Sequence, residues 1–239
     1  MGQLQPIQAT HSEGELFKKS LGPEWHKLHP DIRKRFGGNS STDQRLRYTG
    51  MLTELRCSIA GKFLGQLTRP MIGGALIPFN DAHFPVEIEV YSKPGCDALF
   101  KQRIYRLNGR RPIEFTSYMQ EGRKGKILEY VGMGLGMKLL LSVRDTNLHF
   151  TIDGYFWEIM GRRIPLPGLL TPGKTHLAHR NEGPGQFSIR IEIRHRWFGT
   201  MFTQAGVFTE VIDAARVPIA HVAVSGERPR RKALYEAAR

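Results

Sequence analysis

The stretch from Phe187 to Trp197 constrains the fold more than any other part of the chain. Its odd positions are Phe187, Ile189, Ile191, Ile193, His195 and Trp197, and its even positions are Ser188, Arg190, Glu192, Arg194 and Arg196. Alternation with a period of two over that length specifies a strand with one face on a core and the other in water. Such a strand needs partners, and the chain supplies them. Met137, Leu139, Leu141 and Val143 share one parity, as do Leu148, Phe150, Ile152 and Phe156. A turn at Asp145-Thr146 sets Val143 opposite Leu148, Leu141 opposite Phe150 and Leu139 opposite Ile152, all on one side, as register in a one-faced sheet requires.

Further strands are expected at Arg45–Thr53, around Val86, Ile88 and Val90, at Leu99–Leu107 and around Ile113, Phe115, Ser117 and Met119. Ile127–Val131, Lys174–Asn181 and Met201–Val211 follow, with Gly206 as a bulge or point of close approach. An edge segment is expected at Val217–Val224. Turns fall at Asn108-Gly109, Gly122–Gly125 and Glu182–Gly185, and the Pro- and Gly-rich Pro165–Gly173 is expected to be a loop. Before the strands, Glu13–Ser20 reads as a short helix and Pro23–Phe36 as two helical pieces, the second starting at Pro30. Cys57–Leu67 reads as a helix with Ile59, Phe63, Leu64 and Leu67 on one side. The fold class expected is α+β, mainly β: a curled antiparallel sheet or partly closed barrel capped by short N-terminal helices. Residues 1–20 are expected to form a flexible arm, 21–224 a single β-rich domain and 225–239 a basic tail.

The net charge of +13 invites a nucleic-acid or anionic-membrane partner. The positive residues are spread over Phe17–Phe36, Lys101–Lys126 and the tail, with no single stripe of interleaved aromatics, so specific nucleic-acid binding is not expected. The chain has no apolar run of membrane-spanning length, and Met1–Thr10 has no apolar signal core. The two cysteines, Cys57 and Cys96, suit reduced thiols, and a cytoplasmic location is expected.

Candidate sites are few. Gly132, Gly134 and Gly136 mimic a dinucleotide fingerprint, but the third glycine falls one residue early and a strand follows where a helix is needed. No cofactor is expected. His26 and His29 lie beside Pro30 without a third ligand. His176 and His179 point to opposite faces, and His195 lies far along the hairpin, so no metal site is expected. His195 ends an apolar stripe beside Trp197, which suits either a satisfied core histidine or a polar group at a pocket mouth. Tyr155 and Trp157 sit on the nominally wet face of their strand and need cover, expected from the Pro165–Gly173 loop. The candidate ligand-binding residues are His195, Trp197, Tyr155, Trp157 and Arg162, and no catalytic residue is assigned.

Four blocks in order complete the reading. They are Leu21 to Pro30 (LGPEWHKLHP), Arg163 to Pro167 (RIPLP), the acidic-Gly hairpin before Phe187, and Trp197-Phe198-Gly199 running on to Gly206. Together they resemble a bacterial domain family of uncharacterised function, whose members occur alone or fused behind Rossmann-type reductases of the saccharopine-dehydrogenase or short-chain class. The resemblance covers roughly residues 20 to 212 and implies a standalone form, with a reductase as an expected partner. The function expected is non-enzymatic binding of an apolar or lipid-like molecule in the sheet's concavity, with docking at an anionic membrane. Gly132, Gly134, Gly136, Gly154 and Gly206 are expected to leave room inside. The alternative is an enzyme or accessory partner working with a reductase on an apolar substrate, with His195 as acid/base and Arg162 or Arg194 orienting an anion.

Overall fold

The structure is a computed structural model that describes residues 13–38, 45–93 and 96–211. Two helices come first, α1 (Glu13–Leu21) and α2 (Pro30–Gly37), joined by a 3₁₀ turn over Gly22–Lys27. Pro30 opens α2, and the His29 side chain caps it by accepting from the Asp31 N–H. The strands are β1 (Leu46–Cys57), β2 (Phe84–Ser92), β3 (Leu99–Tyr105), β4 (Ile113–Glu121), β5 (Ile127–Gly132) and β6 (Leu135–Arg144). They continue as β7 (Asn147–Ile159), β8 (Arg162–Pro165), β9 (Lys174–Gly183), β10 (Gln186–His195) and β11 (Gly199–Val211). The remaining helix, α3 (Ile59–Ile72), follows β1. Val217–Val224 and the basic tail lie outside the described residues.

All strands pair antiparallel in the order β6-β5-β4-β3-β2-β1-β11-β10-β9-β7-β8, and β6 also pairs with β7. That last pairing closes ten strands into a barrel and leaves β8 as a flap on β7. The Asp145-Thr146 hairpin has the expected register, with Val143, Leu141 and Leu139 opposite Leu148, Phe150 and Ile152. Both turn residues have positive φ, 48° and 63°, which the right-handed twist of a two-residue hairpin demands. Gly206 is a point of close approach: a Cβ there would lie 2.7 Å from the Leu52 side chain, beside the bulge between Leu52 and Glu54.

Antiparallel pairing sends successive turns to opposite ends of the barrel. One end is sealed by α1 and α2. The His29 N–H donates to the Thr146 carbonyl, and Phe17 and Phe36 meet edge-on at 4.9 Å above Phe150. Phe17 is fully buried, so the residues from Glu13 onward belong to the domain, and the expected arm of residues 1–20 is corrected to that extent. The other end carries α3, the β5–β6, β7–β8 and β10–β11 turns, and the Leu166–Gly173 loop.

Two faces stand out, and the second overturns an expectation. Of the expected α3 stripe, Ile59, Phe63 and Leu67 point outward, 88%, 73% and 65% exposed, while Leu64 turns toward the cavity. The inner side also carries Gly61 and Gly65, buried against the Met201 and Leu76 backbone. On β7, Ile152 lies opposite Leu139 but Tyr155 lies opposite Met137, so one extra residue is inserted at Asp153-Gly154. Gly154, with φ of 121°, makes the bulge, and strand parity inverts beyond it. Tyr155 and Trp157 turn into the barrel, while Phe156 moves to the outer face to pack on Leu128 and Tyr130.

Candidate functional site

The inward faces of the ten strands enclose a cavity of about 460 Å³. Ile88 on β2, Leu177 on β9 and Ile189 and Ile191 on β10 all point into it, yet each is only partly covered. Side chains in a filled barrel interior would cover one another, so these residues face open space. Leu64, Thr68 and Met71 of α3 bound the cavity on one side of its outer end, and Leu166, Leu170 and Pro172 on the other. Leu170 lines it while 63% exposed, so the cavity reaches the surface between α3 and this loop.

Polar groups stand at two levels inside. In the middle, Arg103 donates to Ser117 at 3.0 Å and pairs with Glu129 at 3.6 Å, and Ser117 donates to Glu129 at 2.7 Å. That network is closed on itself. At the sealed end, Arg35 of α2 lies 4.4 Å over the Phe187 ring, and His179 stacks on the same ring at 4.5 Å. Arg35 is 8% exposed; its Nη2 donates to the Gln186 carbonyl at 3.5 Å, while Nε and Nη1 have no hydrogen-bond partner among the described residues. Burial lowers the pKa of Arg35, which Tyr48, Glu210 and Asp31 counteract through charge. Burial, then the charges of Arg35 and Lys101, holds His179 well below the usual histidine range, so its ring is neutral.

Of the expected ligand-binding residues, the structure brings Tyr155 and Trp157 to the cavity. The Tyr155 hydroxyl is 2.9 Å from that of Thr175, and burial pushes its pKa up to about 12. The Trp157 indole N–H donates to the Met133 carbonyl. The Leu166 N–H of the following loop donates to the Tyr155 carbonyl. The others stand elsewhere. Arg162 is exposed on β8, and Trp197 is 59% exposed in the β10–β11 turn. His195 is buried outside the cavity lining, with Nε2 3.2 Å from the Gly168 carbonyl and Nδ1 accepting from the Trp197 N–H. Both ring nitrogens are engaged in tying the Leu166–Gly173 loop to the β10–β11 turn. His195→Ala is therefore expected to cost about 1–3 kcal/mol of stability, read as a lower thermal midpoint, without reducing ligand uptake. Uptake lost at an unchanged midpoint would overturn that role.

The histidines do not gather. His176 pairs with His149 at 3.0 Å on the outer face, while His179 points inward. Among the described residues no group of three or more His, Cys, Asp or Glu can hold a metal ion. The five glycines expected to make room do not do so. Gly132 and Gly134 form the β5–β6 turn, Gly154 the bulge, and Gly136 and Gly206 are filled over by Phe156 and Leu52. The sequence reading missed Arg35 and His179. Arg35 ends the basic run Arg33-Lys34-Arg35, and only the i, i+3, i+4 spacing of Ile32, Arg35 and Phe36 places it on the buried side of α2.

The apolar end outside the cavity is also part of the site. Ile59, Phe63, Leu67, Met133, Met160 and Leu169 are exposed by more than half, and the nearby Ile164, Trp197 and Phe198 likewise. Exposed arginines surround them, among them Arg56, Arg69, Arg162, Arg194 and Arg196.

Residues 28–208 match the model of a family described as Domain of unknown function (DUF4166). The uncharacterized protein YndH of Bacillus subtilis (strain 168) is 23% identical over 206 residues, covering 82% of this chain and 96% of YndH. The matched stretch runs from α2 almost to the end of β11 and so takes in the whole cavity. The chain belongs to the DUF4166 family.

Proposed function

We propose that the protein binds an apolar, lipid-like molecule inside the barrel and exchanges it at an anionic membrane surface. One observation carries the binding: aliphatic residues that point into a closed barrel face a cavity of about 460 Å³, within the usual range of small-molecule pockets. The lining is mostly aliphatic and aromatic, and the polar groups are few and grouped. Filling that space with a hydrocarbon chain removes apolar surface from water at about 25 cal/mol per Å².

The exchange rests on the α3 end. Apolar tips on α3 and three neighbouring turns lie within a surround of arginines, beside the point where the cavity reaches the surface. A stripe of Ile59, Phe63 and Leu67 inserts at the boundary between headgroups and chains, and the arginines meet anionic headgroups. A partner protein with a wet, acidic face would satisfy the arginines but leave the methyl groups in water, so the lipid surface fits both features.

The test uses the protein purified without denaturant. Native mass spectrometry should show a bound apolar molecule that solvent extraction releases. Vesicles of phosphatidylcholine with about a third phosphatidylglycerol should strip it, and pure phosphatidylcholine vesicles should not. A protein recovered empty and unable to take up the neutral probe N-phenyl-1-naphthylamine would overturn the binding. Equal stripping by both vesicles would overturn the anionic docking.

A further inference from the structure

The sealed end of the cavity holds a charged group whose hydrogen bonding is unfinished. Of the two arginines that line the cavity, Arg103 is answered by Glu129 and Ser117. Arg35 is not: two of its three nitrogens are buried without a hydrogen-bond partner among the described residues, and its third makes one long bond to a carbonyl. A buried guanidinium with open N–H groups is costly, and a protein interior tolerates such groups rarely unless something completes them. Lys101 lines the same end of the cavity, and His179 Nδ1, also buried there, has no such partner either. The opposite end, toward α3, is lined by Leu64, Met71, Leu166 and Leu170.

We propose that the ligand is an amphipathic anion, its acidic head group paired with Arg35 at the sealed end and its hydrocarbon tail running toward α3. The inference rests on the proposed function above and names the class of ligand. The unpartnered N–H groups of a buried guanidinium make charge-assisted hydrogen bonds to the oxygens of a carboxylate or a phosphate. Phe187 covers one face of the guanidinium. Entering tail-last, the ligand would leave its terminal methyl group near Leu170, where the cavity reaches the surface.

The experiment measures displacement of N-phenyl-1-naphthylamine by four chains of equal length: dodecanoate, dodecyl phosphate, dodecanol and dodecylamine. The anions are expected to displace the probe at concentrations at least tenfold below dodecanol, and dodecylamine is expected to be weakest. Dodecanoate against dodecyl phosphate identifies which anion fits. In Arg35→Met, which keeps the side-chain length, the ratio of dodecanol to dodecanoate midpoints should fall to about one or two. Arg35→Lys, made alongside, keeps the charge without the guanidinium and should give an intermediate ratio. Equal midpoints for acid and alcohol in the unaltered protein would overturn the head-group site while leaving apolar binding intact. So would a ratio that survives in both variants, or a preference for the amine. If the probe is never taken up, this inference falls together with the proposed function, and that outcome is plainly different from equal midpoints.

Discussion

The double variant Ile88→Trp/Ile191→Trp is expected to lose uptake of N-phenyl-1-naphthylamine by at least about a hundredfold while its thermal midpoint stays level or rises. The two isoleucines stand on β2 and β10 and point into the same cavity, where both are partly uncovered. An indole in place of a sec-butyl group adds volume that a packed core could not accept. In such a core each enlargement typically costs about 1–3 kcal/mol through shifted backbone and strained rotamers. For a domain of this size that would lower the midpoint by about 2–4 °C per kcal/mol. In an unfilled cavity the same indoles gain contacts that the isoleucines lack, and the sign reverses. The two measurements therefore separate two states of the barrel. Lost uptake with preserved stability means that the space is a binding cavity. Lost stability with the fold intact would mean that the interior is already full, and the proposed function would go with it.

The strands were legible because period-two patterning reports faces directly, and the Asp145-Thr146 hairpin needed only parity to fix its register. Closure into a barrel was not legible. It depends on β6 meeting β7 while β7 also carries β9, and the sheet's twist brings these edges together rather than any local pattern. The misread face lies on β7. Parity along β7 was carried through Gly154 as though the strand were regular, although a glycine inside a strand is the usual mark of a bulge. One inserted residue was enough to turn Tyr155 and Trp157 from the wet face into the cavity. On α3 the sequence shows the helical period and leaves the facing of Ile59, Phe63 and Leu67 open. An apolar stripe usually faces the core because burial lowers its free energy, and that rule fails where a helix docks through glycines. The sequence carried the countersignal in Gly61 and Gly65, four residues apart on the opposite side. His195 drew attention as an ionisable ring ending an apolar stripe, and it is a core residue with both nitrogens engaged. The cationic end of the cavity was hidden in a basic run that composition alone assigns to the surface.

Gly61→Ala should destabilise the protein by about 2–4 kcal/mol, although helix propensity alone argues for a gain of about 1 kcal/mol when an interior helical glycine becomes alanine. Gly61 lies in the first turn of α3, where its N–H donates to the capping Ser58 hydroxyl. A Cβ at this position would press into the Met201 carbonyl oxygen and come within 2.8 Å of the Cys57 sulfur. The carbonyl belongs to β11 and accepts from the Ser58 N–H at 2.9 Å, so it cannot move aside without breaking the bond that anchors the start of the helix. Cys57 is itself buried at the end of β1, where burial pushes its thiol pKa up to about 11. The helix must therefore rise from the barrel, and Leu64, Thr68 and Met71 leave the cavity with it. Two readouts should move together: the thermal midpoint falls by several degrees, and limited proteolysis cuts within Ile59–Ile72 under conditions that spare the unaltered protein. Ligand dissociation should quicken as well, because α3 bounds the outer end of the cavity. Gln66→Ala, on the exposed side of the same helix, controls for propensity and should leave all three readouts nearly unchanged. If Gly61→Ala is as stable as the unaltered protein, α3 is not held through its glycines, and its outward apolar stripe loses its structural explanation.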